Sequence, residues 1–296
     1  MENDPKLETL KIKIQNAVTD MMMRVSIDDS HNYTRKSDGK WLPGVTSVSG
    51  IIPKGWLAAW GAKEAVKALG YSDFPEDTAI AVKTLAKIQK GMSVKSFVAM
   101  LKQAKGAAFR KSKEALVDGK AGHAWVEEYI KAKIRHEELP ALPEESEMLF
   151  RPLNQFVNWA EKYVKLWILS EARVADVTKE YAGTLDAMAV MADGQLAIVD
   201  AKFASHISPE YSLQTAGYAA TFEAYDIKVE QRIIVRLPKT LEIAEWDKKT
   251  RTYSMVPNSI EVKVIDTPYE FDRETFYSAL PVKKWVNYIE KLERKK

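Results

Sequence analysis

The stretch from Tyr181 to Tyr218, YAGTLDAMAVMADGQLAIVDAKFASHISPEYSLQTAGY, constrains this chain more than any other. Residues 184–191 and 195–203 are two nearly continuous apolar runs, short and rich in Val, Ile, Leu and Phe, which is the pattern of strands buried on both faces. Only Ala192, Asp193 and Gly194 separate them. A three-residue hairpin loop needs a positive φ at its last position, and Gly194 stands there. That loop sets Met191 opposite Gln195, Val190 opposite Leu196, Met188 opposite Ile198 and Asp186 opposite Asp200. Side chains alternate along a strand, so Lys202 shares the face of Asp200. A two-residue Asp-Gly loop would shift the pairing by one and send the aspartates to opposite faces.

Two carboxylates facing each other inside a sheet repel, and burying them unpaired costs more still. A hard cation bound by both resolves the conflict. Mg²⁺ prefers one or two carboxylates, several waters and a substrate's phosphate oxygens, and can acidify a water and offset charge on a phosphodiester. Lys202, one pleat along, is placed to orient that water or to stabilise developing negative charge. The competing reading is a buried Asp–Lys ion pair that only fixes the fold. A second strand-like Glu261-x-Lys263 occurs in SIEVKVID, but there apolar and charged positions alternate, as in a strand with one solvated face. After the hairpin, Ser208 (N-cap), Pro209 (first turn) and Glu210 open a helix that runs to about Tyr225. Gln214 and Tyr218 share one face of it, four residues apart. They either hold a phosphate or base over the sheet edge, or form a packed tyrosine with a satisfied glutamine.

Four short motifs occur in order: GKAGH ending at His123, GTLD ending at Asp186, DAK from Asp200 to Lys202, and QTAGY from Gln214 to Tyr218. Together they resemble the PD-(D/E)xK nuclease superfamily, in its RecB-like and phage-exonuclease branch, over roughly residues 105–240. Upstream, HNYTRKSDGKWLPGVTSVSGII is similar to the lead-in of phage members. The resemblance implies a restriction-endonuclease-like α/β core, a central mixed sheet flanked by helices. It also implies that Asp186 and Asp200 bind Mg²⁺ or Mn²⁺ together with the backbone carbonyl of Ala201. His123 would be a further metal-site residue, Lys202 the catalytic lysine, and Gln214 and Tyr218 shapers of the site around DNA. Glu127, one turn after His123, either orients its imidazole or is a surface carboxylate. The activity implied is metal-dependent hydrolysis of DNA, as an exonuclease of phage-type replication, recombination or processing. A structure- or site-specific endonuclease and a DNA-binding protein with vestigial catalysis are the alternatives. Phage or host recombination and replication proteins would be partners, and the host cytoplasm the location.

Some relatives carry four cysteines on an iron–sulfur cluster; this chain has no cysteine, which excludes such a cluster and any Cys zinc site. The other histidines, His31, His136 and His206, show no mutual ligand spacing. A length of 296 residues with 46% hydrophobic content is ample for a large core. No run approaches a membrane span, and the N-terminus lacks a signal peptide's apolar stretch. The net charge of +3 does not announce a nucleic-acid binder, but Lys95–Lys120 holds seven Lys/Arg against two acids, and the C-terminal tail is basic too.

The expected organisation is a helical N-terminal extension over 1–105, packed on a nuclease core over 106–296. Within these, helices are expected at 5–23, 54–69, 77–90, 94–104, 107–134 (loosened at Gly119 and Gly122), 148–166 and from about 271. Strands are expected at 45–52, 171–180 and 230–236, with LEIAEW and SIEVKVID as an outer pair. Trp56, Trp60 and Trp125 fit core packing better than base stacking.

Overall fold

A computed structural model of the chain describes residues 4–30, 32–70, 83–84, 86–88, 90–247 and 252–294. It is an α/β protein built on a mixed five-stranded sheet flanked by helices. The strands are β4 (Val164–Asp176), β5 (Tyr181–Met191), β6 (Leu196–Phe203), β7 (Gln231–Leu237) and β10 (Glu261–Val264), in the order β10-β7-β6-β5-β4. Neighbours are antiparallel except β6 and β7, which run parallel. A parallel pair needs a crossover, and α7 (Glu210–Ala220) supplies it.

Both faces of the sheet are covered, which is why β5 and β6 read as continuous apolar runs. On one face Met188, Val190, Leu196 and Ile198 pack with α1 (Pro5–Arg24), α2 (Val45–Ser49), α7 and α8 (Tyr269–Glu293). On the other, Ala187, Ala189, Ala197 and Val199 pack with α6 (Glu147–Tyr163) and with residues 126–130 of α5 (Ala107–Arg135). A small sheet of β1 (Val25–Ile27), β2 (Tyr33–Arg35) and β3 (Trp41–Leu42) adjoins the central sheet at Ala175 and Ala182.

The central hairpin has the register its loop dictates. Val190 pairs with Leu196 and Met188 with Ile198; Gly194 has φ +88°, and the Met191 N–H donates to the Gln195 carbonyl at 2.9 Å. The ladder ends at Ala187–Val199, one step short of Asp186 and Asp200, and the strands part there.

Several local expectations are corrected. Residues 45–52, β-branched enough to read as a strand, form the short helix α2 instead. Gly44 bridges to Ala182, and Val45 and Val48 are fully buried, so tertiary packing overrides propensity. The strand expected at 171–180 begins seven residues earlier, directly after α6. Ser208 makes no side-chain cap; its carbonyl, not its hydroxyl, takes the Tyr211 N–H. LEIAEW does not pair with SIEVKVID: β8 (Glu242–Asp247) pairs with β9 (Thr252–Pro257), while β10 lies on β7 at the sheet edge. α5 passes Gly119 and Gly122 as one helix. The helix expected at 77–90 falls largely outside the described residues.

Two compact units emerge from the contacts. One holds residues 1–52, 121–241 and 258–296, including the five-stranded sheet; the other holds 53–120 and 242–257. The second contains α3 (Trp56–Ala68), α4 (Val94–Lys105, capped by the Ser93 hydroxyl), the first half of α5 and the β8–β9 hairpin. Inside it, Lys111 reaches Glu64 at 3.0 Å. Among the described residues, no helix is long and apolar enough to cross a membrane.

Candidate metal centre

The centre originates in a paired irregularity of β4 and β5. Their ladder keeps one register from Leu169–Met188 to Asp176–Tyr181, yet it skips the step where Glu171 stands opposite Asp186. Glu171 has φ +46°, a left-handed conformation that costs a non-glycine residue about 1–3 kcal/mol. Face alternation slips on both strands at this step. Leu185 packs on the α1 side and Ala187 on the α6 side, while Leu169 and Ala172, three apart, share a side. The slip lets the two carboxylates emerge together.

Helix α5 brings His123 to them. A Cβ on Gly122 would lie 2.1 Å from the Phe203 ring, so the glycine lets the helix approach the end of β6 closely. Its role is close approach, not the helix loosening expected from sequence. The His123 Nε2 is 3.1 Å from Asp186 Oδ2, and its Nδ1 is 3.7 Å from Glu171 Oε1. One ligand atom from each of His123, Glu171 and Asp186 lies within 4.8 Å of the others. All three are half-buried, and this trio can hold a metal ion.

The remaining expected residues sit around it. Where β5 and β6 part, the Ala201 N–H donates to Asp186 Oδ2 at 3.1 Å. Lys202 Nζ lies 2.8 Å from Asp200 Oδ1 and 3.8 Å from Asp186 Oδ2, with the Tyr211 ring centroid at 5.7 Å. Asp200 is completely buried and stands outside the trio. Its Oδ1 also meets Gln214 Nε2 at 3.4 Å, and its Oδ2 has no hydrogen-bond partner. A bare buried carboxylate oxygen beside a cluster of ligand atoms is an observation that fits a nearby cation. Gln214 and Tyr218 are buried and joined at 3.3 Å, and Gln214 links the tyrosine to Asp200. Glu127 does not orient His123; it pairs with Lys131. Trp125 stacks on Tyr129 at 5.6 Å and donates to the Ala141 carbonyl, a packing role.

Glu171 is the member that sequence reasoning missed. Its only signal was a charged residue inside an otherwise strand-like run, and its partner is set by a β4–β5 register, slipped in alternation at the left-handed Glu171, that no spacing encodes. Replacing it with glycine tests this directly. Glu171→Gly suits the left-handed backbone, so thermal stability is expected to hold or rise by up to about 1 kcal/mol. Mn²⁺ affinity is expected to fall at least about tenfold. Calorimetric titration and a melt together check both halves.

The electrostatics of the cluster raise His123 and two of its carboxyls. The hydrogen bond to Asp186 raises the His123 imidazole to about 9, against the opposing effect of burial. Burial, then the Asp186 charge, raises Glu171 to about 7. Burial likewise raises Asp200 to about 7, although Lys202 pulls it down. Desolvation pushes Asp186 up too, yet Lys202, His123 and the Ala201 N–H outweigh it and hold the carboxyl below the ordinary range. Burial alone would lower Lys202, but Asp186 and Asp200 raise it well above a free lysine. A cation entering the trio must displace the protons of His123 and Glu171. Both are raised groups, protonated at low pH, so Mn²⁺ affinity is expected to climb from about pH 6 to about pH 9, with proton release on binding. Titrations in buffers of different ionisation enthalpy measure that release, and a pH-independent affinity would contradict the ligand assignment.

No protein-family model matches this chain, and no curated protein matches it either.

Proposed function

We propose that this chain is a metal-dependent deoxyribonuclease of the PD-(D/E)xK superfamily, with a restriction-endonuclease-like core and an exonucleolytic action on DNA. The observation that carries the reading is the convergence of His123, Glu171 and Asp186 within 4.8 Å, beside an ammonium group 3.8 Å from Asp186. The two carboxylates suit Mg²⁺ or Mn²⁺, the imidazole nitrogen favours the softer Mn²⁺ of the pair, and a lysine at the rim of such a site suits a substrate that brings its own negative charge.

A divalent cation bound there supplies positive charge to a phosphodiester and acidifies water. The chain's own groups do the rest. Asp186 accepts from His123 and Ala201, so its carboxylate is fixed in orientation before any ligand arrives. Lys202 is held charged by two carboxylates and can donate to a nucleophile or a developing oxyanion without first taking up a proton. Gln214 fixes Asp200, which in turn fixes Lys202. Phage-type recombination, replication or processing, and partners from those systems, are the setting this reading favours.

The test is cleavage of end-labelled linear and covalently closed circular DNA, single- and double-stranded, with Mg²⁺, Mn²⁺ or EDTA. Metal-dependent loss of linear molecules alone is the expected result. Cutting of circles would replace the exonuclease with an endonuclease, and tight binding without cleavage under any metal would make the protein a binding module.

A further inference from the structure

A second site lies beside the carboxylates in the same unit. It is a cleft of ≈ 350 Å³ between β2, β3, the start of α2 and β5, within the size range of small-ligand pockets. Trp41 lines it with an indole that remains 42% exposed, and Tyr33 forms a buried wall whose hydroxyl meets Thr184 Oγ1 at 2.9 Å. Asn32, Thr46 and Ser47 add an amide and two hydroxyls. None of the described residues lining it carries a charge. A phosphate, carboxylate or ammonium group would find no partner of opposite sign there. A flat, neutral group with hydrogen-bonding edges matches an aromatic face rimmed by hydroxyls and an amide.

The cleft and the carboxylates share structure. Thr184 lies two residues before Asp186 on β5, about 7 Å along the strand. Gln214 Nε2 contacts Thr46 Oγ1 at 3.5 Å, the Tyr218 hydroxyl at 3.3 Å and Asp200 Oδ1 at 3.4 Å, so one amide touches two cleft-lining residues and the acidic layer. Gly183 keeps the junction tight: a Cβ there would lie 2.7 Å from the Tyr218 ring and 3.0 Å from Val45.

We infer that this cleft is a nucleobase subsite, in which an unpaired base of a DNA strand stacks on Trp41 while the backbone of that strand crosses the carboxylates. The inference rests on the nuclease reading for its substrate and deepens it: the strand enters single-stranded at this point, because a base held in a duplex cannot reach an indole set in a cleft.

The test is binding of a fluorescein-labelled single-stranded oligonucleotide in Ca²⁺, read by anisotropy. The intact oligonucleotide is compared with a series carrying one abasic residue at each successive position from the end, against wild type, Trp41→Ala and Trp41→Phe. At one position, base removal is expected to weaken wild-type binding about tenfold to a hundredfold. Trp41→Ala should bind the intact strand as weakly as wild type binds that abasic strand, and show no further loss. Trp41→Phe should keep most of the discrimination. Equal binding of every abasic strand by wild type, or discrimination that survives in a folded Trp41→Ala, overturns the inference. Cleavage of the same strands in Mg²⁺ separates the two claims. The abasic signature without cleavage keeps the cleft and removes the nuclease; cleavage without the signature does the reverse.

Discussion

Asp186→Asn is expected to reduce the proposed DNA cleavage to background and to weaken Mn²⁺ binding by roughly a thousandfold, with the fold intact. Asp186 is where the chain's elements meet: helix α5 through His123, strand β6 through the Ala201 N–H, and the Lys202 ammonium at 3.8 Å. Asparagine keeps the shape and can still accept the Ala201 N–H, so packing is preserved. What disappears is one negative charge. A unit charge about 4 Å from another contributes roughly 4 kcal/mol near a protein surface, which is about three decades of affinity. The substitution carries a second readout independent of activity. The Asp186 hydrogen bond is the largest cause of the raised His123 titration, near 9, so the imidazole should fall towards its ordinary value near neutrality. Nuclear magnetic resonance titration of the His123 ring measures it. A variant that binds Mn²⁺ as wild type does would move the metal site elsewhere.

Lys202→Ala is expected to lower both the proposed cleavage and the stability of the fold. The ammonium is the only ion-pair partner found for the fully buried Asp200 among the described residues, and Asp200 already has one bare oxygen. Breaking a buried pair by removing one member destabilises by about 3–5 kcal/mol because the other charge is stranded. Asp200 limits the damage by taking up a proton, which gives the effect a sign in pH. Without Lys202 the folded-state carboxyl pKa rises above its present value near 7, far above the unfolded value near 4. A group that binds its proton more tightly when folded loses stability as pH rises through that window. The variant should therefore melt close to wild type at about pH 5 and well below it at about pH 8. Cleavage should fall at least about a hundredfold to a thousandfold at any pH, as for loss of a preorganised donor. Melts across pH, paired with single-turnover cleavage, check this. Equal destabilisation at both pH values would mean that Asp200 is not the group left stranded.

The hairpin was legible because two simple rules act on it together. A strand has a period of two and Gly194 fixes the loop, so register follows from counting, and with it the placement of Asp200 and Lys202. His123 was legible through GKAGH, although the physical reason for Gly122, room for the Phe203 ring, required the packed helix. Glu171 was not legible: the register of β4 against β5, which sets it opposite Asp186, cannot be counted without knowing where β4 begins and ends, and the slip in alternation at its left-handed step, φ +46°, has no sequence signal. The α2 segment misled for a related reason. Its valines favour a strand locally, but the space above Gly183 admits a short helix whose Val45 side chain fits against a glycine. The outer strands misled because pairing partners of similar composition cannot be told apart by pattern, and β10 chose the edge of β7, where Arg236 meets Glu261 at 3.0 Å.

The most direct measurement is anomalous diffraction from crystals of the full chain grown with Mn²⁺. The expected result is a peak bonded to a His123 nitrogen and to one oxygen each of Asp186 and Glu171, at about 2.0–2.3 Å, and weakened or absent in Glu171→Gln. A peak held by Asp186 and Asp200 with Glu171 turned away, or no peak at this cluster in Mn²⁺-loaded crystals, would contradict it.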